Sequence, residues 1–449
     1  MPQDAQGHAL TIAGGPAARA YGRTVEALLA NRRDTPTLME AALAADAEAP
    51  MVLSLRAALA MLATSGATIP TARAFAARAV EAATGATPRE GLHAAAVAAW
   101  AEGEVEQALA DWEAILASYP RDVVAMRLHH FAAFWQGRPG AMAAIADALR
   151  PHWTDNVPGY SNVLACRAFA YEETGRYVEA EEAGRAAIER DPCDLWAAHA
   201  VAHVLEMQGR RGEGIAWLDG LERNWGEGNN LRHHLLWHRA LFHLERGEFD
   251  RVIALYDQGF RDLSSPLTQA APDLYIDMQN AISMLFRLER QGVNVGPRWA
   301  ELADKAEARI GDTLSAFTLP HWAMALGATG RHVAARRLLD AVARAAEGDT
   351  LQARTLRRAA LPACHAVLLR ARGAYVPAVE CLRPALPHLP ELGGSHAQQA
   401  VLEELFLDCA LRANLPGDVR LILERAAGRH PVPPARRIGF AAVARAVPH

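Results

Sequence analysis

The sequence predicts an all-α protein, built as one continuous α-solenoid of helical hairpins, and three observations lead to this class. About half of the 449 residues are apolar, 51% in all, which is typical of a globular chain. Alanine is abundant and runs of β-branched residues are scarce, which favours helix. Single glycines also recur every 34 to 45 residues, a period typical of paired-helix repeats, at Gly103, Gly137, Gly175, Gly209, Gly247, Gly292, Gly330 and Gly373.

The first region, residues 1–86, predicts helices in a looser pattern than the rest of the chain. Four alanine-rich stretches have apolar residues at helical spacing, at 16–32, 36–47, 51–63 and 71–83. They precede the first of the recurring glycines. We therefore treat 1–86 as an N-terminal helical region.

The central region, residues 87–430, contains the repeats, and 159–192 shows the pattern most clearly. An amphipathic helix ends at Gly175, and a second helix rich in small residues stops at Asp191-Pro192, since the residue before a proline disfavours helix. This helix–glycine–helix unit resembles a tetratricopeptide repeat. Such hairpins bury their apolar faces only against their neighbours, so the array is expected to curve and to present a concave wall of first helices.

The last repeat pairs a helix over 395–415 with one over 416–430, and Ser395 follows two glycines as an expected N-cap. Residues 431–449 predict a C-terminal capping helix. Two arginine-rich runs, at 354–360 and 435–439, are interpreted as solvated helix faces.

Composition excludes several classes of function. The net charge of −5 offers no basic field for nucleic acid. Lys305 is the only lysine, which argues against a lysine nucleophile. The five cysteines are widely spaced without a CxxC motif, as expected for reduced thiols in a cytoplasmic protein. We find no secretion signal and no apolar stretch that could span a membrane, so no membrane association is expected. A homodimer is compatible with the sequence.

The histidines follow the register of the repeat. His199 and His203 lie ten and six residues before Gly209, and His234 and His238 lie thirteen and nine before Gly247. His321 lies nine residues before Gly330. Because equal distance from the closing turn means similar height in a stack of hairpins, we expect these imidazoles to converge on one groove-facing wall.

His199, His203 and Glu206 form the pattern H-x3-H-x2-E, which places all three on one face of a helix. Two imidazoles at i and i+4 with a carboxylate one turn on can bind a divalent metal such as Zn²⁺. Helix-borne histidine pairs are also common without metal, so the pattern alone favours a metal-free site and leaves the cofactor undetermined. Histidine and glutamate side chains also suit acid–base chemistry near neutral pH, for which His203, Glu206 and His238 are the candidates.

Further residues are expected to line the same wall as ligand-binding groups. Trp237 offers a stacking surface beside His234 and His238. Asp277 shares one helix face with Asp273 and Asn280, and that face is expected to supply a carboxylate to the pocket. His321 completes this set, and a cysteine–histidine nucleophile pair at the same height is a lesser alternative.

Five segments together resemble the family of tetratricopeptide repeat protein 38 and its bacterial relatives. They keep the order of that family over most of the chain: LHHFAAFWQG at 128–137, HAVAHVLEMQGR at 199–210, HHLLWHRALFHLERGEFD at 233–250, SMLFRLERQGVNVGPRW at 283–299 and LGGSHAQQAVLEEL at 392–405. The resemblance implies an all-helical repeat protein and a family-like placing of His130, His199, His203, Glu206, His234 and His238. This chain departs from the family at Gln399 and Ala400, where an Arg-Asp pair is expected. The resemblance implies no settled activity.

Three functions remain open from the sequence. The first is a binding protein whose groove holds a small polar molecule or a peptide segment at the histidines and Glu206. The second is an enzyme, with hydrolysis as the favoured reaction, that uses the same residues for acid–base or metal-assisted chemistry. The third is a protein-interaction scaffold without a small-molecule site.

Overall fold

The computed structural model describes residues 1–445 and confirms an all-α chain of helical hairpins. Within this range 25 α-helices follow one another, and the only extended pairing consists of two isolated bridges, Gln3 with Ala9 and Arg32 with Gly228. None of these helices combines the length and the apolarity needed to cross a bilayer.

The chain divides into two compact units; one boundary falls inside the helix Leu195–Met207, and the other two fall at the last residue of Arg211–Leu221 and the first residue of Leu231–Glu245. The first unit comprises Met1–Val201 and Leu221–Leu231, and the second comprises Ala202–Gly220 and Arg232–His449. The domain boundaries after residues 86 and 430 stay predictions. Of the predicted capping helix at 431–449, residues 446–449 lie outside the described part, and the rest forms a 3₁₀ turn at Pro434–Arg436 and a short helix at Ala441–Ala444.

The first unit contains ten complete helices and the beginning of the eleventh. These are α1 Gly15–Leu29, α2 Thr35–Ala45, α3 Pro50–Leu62, α4 Ile69–Ala82, α5 Pro88–Ala101, α6 Val105–Ser118, α7 Val123–Trp135, α8 Pro139–Leu149, α9 Tyr160–Glu172, α10 Tyr177–Arg190 and α11 Leu195–Met207. Short 3₁₀ helices lie at Gly66–Thr68, Arg150–His152 and Glu222–Asn224.

The second unit contains the end of α11 and the remaining helices. These are α12 Arg211–Leu221, α13 Leu231–Glu245, α14 Phe249–Leu255, α15 Pro266–Ala270, α16 Tyr275–Arg290, α17 Arg298–Ala308, α18 Thr318–Ala328, α19 His332–Ala345, α20 Leu351–Thr355, α21 Leu361–Ala371, α22 Tyr375–Leu382, α23 His396–Arg412, α24 Pro416–Arg429 and α25 Ala441–Ala444. Two π-helical turns, Tyr256–Phe260 and Leu356–Ala360, and a 3₁₀ helix, Arg383–Leu392, continue α14, α20 and α22.

The recurring glycines close the hairpins as predicted. All eight have left-handed backbone conformations, with φ between 61° and 87°, which side chains with a Cβ rarely adopt. The predicted N-cap is also confirmed, because the Ser395 hydroxyl accepts a hydrogen bond from the Gln398 amide at 3.3 Å.

Small residues set the distance between packed helices. In the first unit a Cβ at Gly184 of α10 would lie 2.5 Å from Val201 Cγ2, and in the second a Cβ at Gly214 of α12 would lie 2.3 Å from the Phe242 ring. Neither position can carry a larger side chain without moving its neighbour. This close packing fixes α11 and α13, the helices that carry the histidines.

Each unit has its own apolar core. Trp112, Tyr21 and Phe169 are the largest fully buried side chains of the first unit, and Trp237, Phe242, Phe260, Phe317, Phe406 and Phe440 are those of the second. Fully burying side chains of this size stabilises a fold by roughly 1.5–3 kcal/mol each. Trp237 is therefore a core residue that also borders the histidines described next.

Candidate functional site

Three buried histidines of the second unit form the candidate site. His203 comes from α11, and His234 and His238 lie one turn apart on α13. Each offers one ring nitrogen, and these nitrogens all lie within 4.8 Å of one another. The residues are only 1%, 3% and 0% exposed, so the cluster is closed to bulk water.

A linear chain of polar contacts runs through two of these rings. The Glu206 carboxyl lies 3.1 Å from His238 Nδ1, and His238 Nε2 lies 3.3 Å from His234 Nε2. His234 Nδ1 in turn lies 3.0 Å from the Asn280 side-chain oxygen. Helices α11, α13 and α16 each supply at least one member, so their packing sets the geometry of the chain.

Aromatic contacts hold the rings in place. Trp237 stacks on His234 with ring centres 5.1 Å apart and planes 13° apart, and His203 meets His238 edge-on at 4.4 Å. The Arg287 guanidinium lies 5.9 Å from the Trp237 ring centre. The imidazoles are thus fixed by packing as well as by hydrogen bonds.

Burial keeps the histidines of this cluster neutral. It lowers the pKa of His238 to about 3 and holds the pKa values of His203 and His234 well below their usual range. Burial also raises the pKa of Glu206 to about 7, although Arg287, Arg437 and Arg211 oppose that rise. Neutral imidazoles are the form that binds metal ions or accepts protons.

The arrangement places two ring nitrogens face to face. The Asn280 oxygen can only accept a hydrogen bond, so His234 donates from Nδ1 and carries its lone pair on Nε2. If Glu206 is ionised, the same reasoning places the lone pair of His238 on Nε2. Two lone pairs 3.3 Å apart repel each other unless a cation lies between them. A protonated Glu206 also avoids this repulsion. It donates to His238 Nδ1, His238 donates from Nε2 to His234 Nε2, and His234 donates from Nδ1 to the Asn280 oxygen.

The convergence predicted from the histidine register is confirmed for His203, His234, His238 and Glu206. Their expected exposure on a groove-facing wall is wrong, because the three histidines are only 1%, 3% and 0% exposed. Because His203 is only 1% exposed, its replacement by alanine would remove core packing as well as a polar group. The catalytic and ligand-binding roles of these side chains stay predictions.

Two predicted site residues of the second unit make other contacts. Asp277 accepts a hydrogen bond from His233 Nδ1 at 3.0 Å, whereas Asn280, three residues later on the same face, reaches the cluster. His321 donates from Nδ1 to the Phe317 carbonyl at 2.9 Å, and burial lowers its pKa to about 4. The helix face was predicted correctly, but the residue that reaches the cluster from it is Asn280.

His130 and His199 belong to the first unit. The His199 ring stacks on Phe169 at 5.2 Å and lies 4.8 Å from Trp196. The His130 ring lies 5.8 Å from both aromatic rings. The structure thus places both imidazoles against an aromatic pair. Metal ligation by His199, His203 and Glu206 together stays a prediction.

Two arginines near the site are not predicted from the sequence. Arg287 follows one turn after Ser283 on α16, within one of the segments that carry the family resemblance. Arg437 lies in the run 435–439, which was interpreted as solvated; Arg436 is indeed exposed, but Arg437 lines a small cavity beside Glu206. No local pattern distinguishes these two neighbours. Cys364, which lies nine residues before Gly373 and so at the height of His321, is fully buried. Burial raises the pKa of its thiol far above the usual range, which argues against the cysteine–histidine alternative.

Comparisons with known proteins return remote resemblances. No protein-family model matches the sequence. The Cut9–Hcn1 hetero-tetramer of the APC/C is 13% identical over 88% of this chain and 77% of that chain, with a TM-score of 0.37. Yeast Tom70 is 12% identical over 96% and 94%, with a TM-score of 0.36. The TPR domain of P58(IPK) is 13% identical over 89% and 99%, with a TM-score of 0.21. Resemblance this remote carries no argument about function.

Proposed function

We propose that this chain is a ligand-binding helical-repeat protein whose second unit holds a divalent metal ion of the zinc type between His203, His234 and His238. One observation carries the proposal: the Nε2 atoms of His234 and His238 face each other at 3.3 Å. Two nitrogens bound tetrahedrally to one zinc ion at about 2.0–2.1 Å would lie about 3.3 Å apart. His203 supplies a third nitrogen within reach of both.

The hydrogen-bond partners of the second ring nitrogens support the same assignment. Metal-binding histidines almost always donate their second ring N–H to a carboxylate, carbonyl or water, which fixes the tautomer and the ring orientation. His234 and His238 have such acceptors in Asn280 and Glu206. The burial that keeps the three imidazoles neutral also removes the proton competition that weakens metal binding.

A metal held by these imidazoles would polarise a ligand or water molecule that binds to it. The chain's own contribution is the fixed geometry of the rings and the Glu206 carboxyl beside them, which can accept or return a proton.

Metal-free acid–base catalysis, with hydrolysis as the favoured reaction, is the second candidate function. It is favoured by the unbroken contacts from Glu206 through His238 and His234 to Asn280. With Glu206 protonated, every contact of this chain has a donor and an acceptor without any metal. Metal content therefore separates the two candidates.

The experiment is a zinc measurement on purified protein. The protein is stripped with a chelator, dialysed against buffer with one equivalent of ZnSO₄ and analysed by inductively coupled plasma mass spectrometry. We expect one zinc per chain in the wild type and a loss of most of it in His234→Ala. His243→Ala is the matched control, because His243 lies on the same helix and contacts Glu248 instead of the cluster.

Circular dichroism checks that both variants fold, and His234→Gln replaces His234→Ala if the alanine variant does not. Zinc retained equally by His234→Ala or its glutamine substitute and by His243→Ala would contradict the metal proposal. So would a wild type that keeps no zinc after dialysis. In that case the proton-chain alternative would gain support.

A further inference from the structure

A small polar cavity adjoins the candidate site on the Glu206 side. It has a volume of about 50 Å³, and its wall includes Glu206, Arg287, His396 and Arg437. A water molecule needs roughly 10–15 Å³ of such space, so the cavity has room for on the order of four waters. That is enough for one small charged group of a ligand, but far below the size of a pocket for a whole drug-sized molecule.

The carboxylates around this cavity already have partners. Glu245 pairs with Arg211 at 2.6 Å, and Glu404 pairs with Arg287 and Arg290 at 3.2 and 2.8 Å. Glu206 contacts His238. The acidic groups therefore need no further cation.

Two guanidinium groups, in contrast, keep donors without acceptors. Arg287 donates from Nε to Glu404 and from Nη2 to the Ala397 carbonyl, but within residues 1–445 its buried Nη1 has no hydrogen-bond partner. The side chain is only 5% exposed, so bulk solvent does not reach that donor. Arg437 packs on the Phe440 ring at 4.7 Å, and its side chain makes no hydrogen bond or ion pair with any other described residue.

Unpaired buried donors on an arginine are costly, and a planar guanidinium is well suited to bind an oxyanion through two parallel hydrogen bonds. We infer that this cavity binds a small oxyanion group, a carboxylate or a phosphate, between Arg287 and Arg437. The inference rests on the proposed function, because it makes the ligand of the histidine site an anionic molecule. The anionic end of this ligand lies against the two arginines, and the rest of the ligand lies toward Glu206.

The test uses inorganic phosphate and acetate as probes. Binding is measured by isothermal titration calorimetry on the full chain at constant ionic strength, with chloride as the balancing anion. We expect at least one of the two probes to bind, and Arg437→Gln to weaken that binding about tenfold or more, through loss of charge-assisted hydrogen bonds. The relative affinity for phosphate and acetate identifies which oxyanion the cavity prefers.

Arg436→Gln is the matched control, because it removes the same charge one residue away from an exposed side chain. It should change the affinity by less than about twofold, as expected for surface charges. Arg287→Lys is a second variant that keeps the charge but lacks the Nη1 donor, and it should also weaken binding. Equal affinities in Arg437→Gln and Arg436→Gln, or no binding of either probe by the wild type, would overturn the inference.

Zinc content measured on the same samples separates the two proposals. Zinc retained without anion binding would remove only the oxyanion inference. Anion binding that depends on Arg437 in a protein without zinc would remove only the metal proposal.

Discussion

Replacing Asn280 by alanine should weaken zinc binding without removing any proposed ligand. The Asn280 oxygen accepts a hydrogen bond from His234 Nδ1 at 3.0 Å, and the residue is fully buried. Without that acceptor, His234 loses the hydrogen bond that places its proton on Nδ1, and the ring keeps its stacking on Trp237 but not that polar contact. When the metal binds, the free energy needed to fix the tautomer and the ring orientation then reduces the affinity for zinc.

The expected loss of zinc affinity follows from the known effect of removing a hydrogen-bond partner of a metal-binding histidine. Their removal typically weakens metal binding by about 10–100-fold, which corresponds to roughly 1.4–2.7 kcal/mol. The free energy of unfolding should change less, by about 1 kcal/mol. The Asn280 amide nitrogen is buried without a partner within residues 1–445, so the substitution also relieves an unsatisfied donor.

The assay is a competition between the protein and a chromophoric zinc chelator. Asn280→Asp is the informative companion, because it keeps an acceptor opposite His234 Nδ1 and makes it anionic. It should bind zinc at least as tightly as the wild type, provided that circular dichroism shows it folded. An Asn280→Ala variant within twofold of the wild type, or an Asn280→Asp variant as weak as the alanine variant, would refute the reasoning.

Three further predictions concern stability, each measured by denaturant unfolding. Burial raises the pKa of Asp194 to about 6, so its favourable contribution exists below the unfolded value near 3.8 and is lost as pH rises through 6. Asp194→Asn should therefore be more stable than the wild type by ~1–3 kcal/mol at pH 7.5 and equal to it below pH 4; a constant difference would contradict this. Asp122→Ala removes a carboxylate that lies 2.8 Å from both Arg89 and His93 and leaves the buried Arg89 with Asp4 alone, at 3.0 Å; it should cost about 1–3 kcal/mol, and the absence of a measurable cost would show that Asp4 alone satisfies Arg89. Gly214→Ala, whose Cβ would lie 2.3 Å from the Phe242 ring, should cost about 1–3 kcal/mol, and a neutral effect would mean that the ring moves freely.

Local features of the chain could be predicted from the sequence. The hairpin glycines are predictable because each occupies a left-handed conformation that other residues avoid, and the helices are predictable from their apolar period. The convergence of His203, His234 and His238 also followed, because helical geometry and repeat register are both local properties.

Long-range packing could not be predicted from the sequence. The burial of the three imidazoles depends on side chains such as Asn280, which contacts His234 across 46 positions of sequence. The partner of Asp277 differs from that of Asn280 because a three-residue step on a helix leaves the two side chains near different rings. Arg437 and Arg436 are indistinguishable in the sequence, and only the path of the chain after α24 turns one of them toward the cavity.

The central claim, that three imidazoles of the second unit bind a divalent metal, is tested most directly by X-ray absorption spectroscopy of the zinc-loaded protein. We predict a shell of nitrogen scatterers at about 2.0–2.1 Å, with the outer-shell scattering of three imidazole rings. In His238→Ala the imidazole contribution should fall by one ring. A shell made of oxygen alone, or a spectrum that His238→Ala leaves unchanged, would contradict the account.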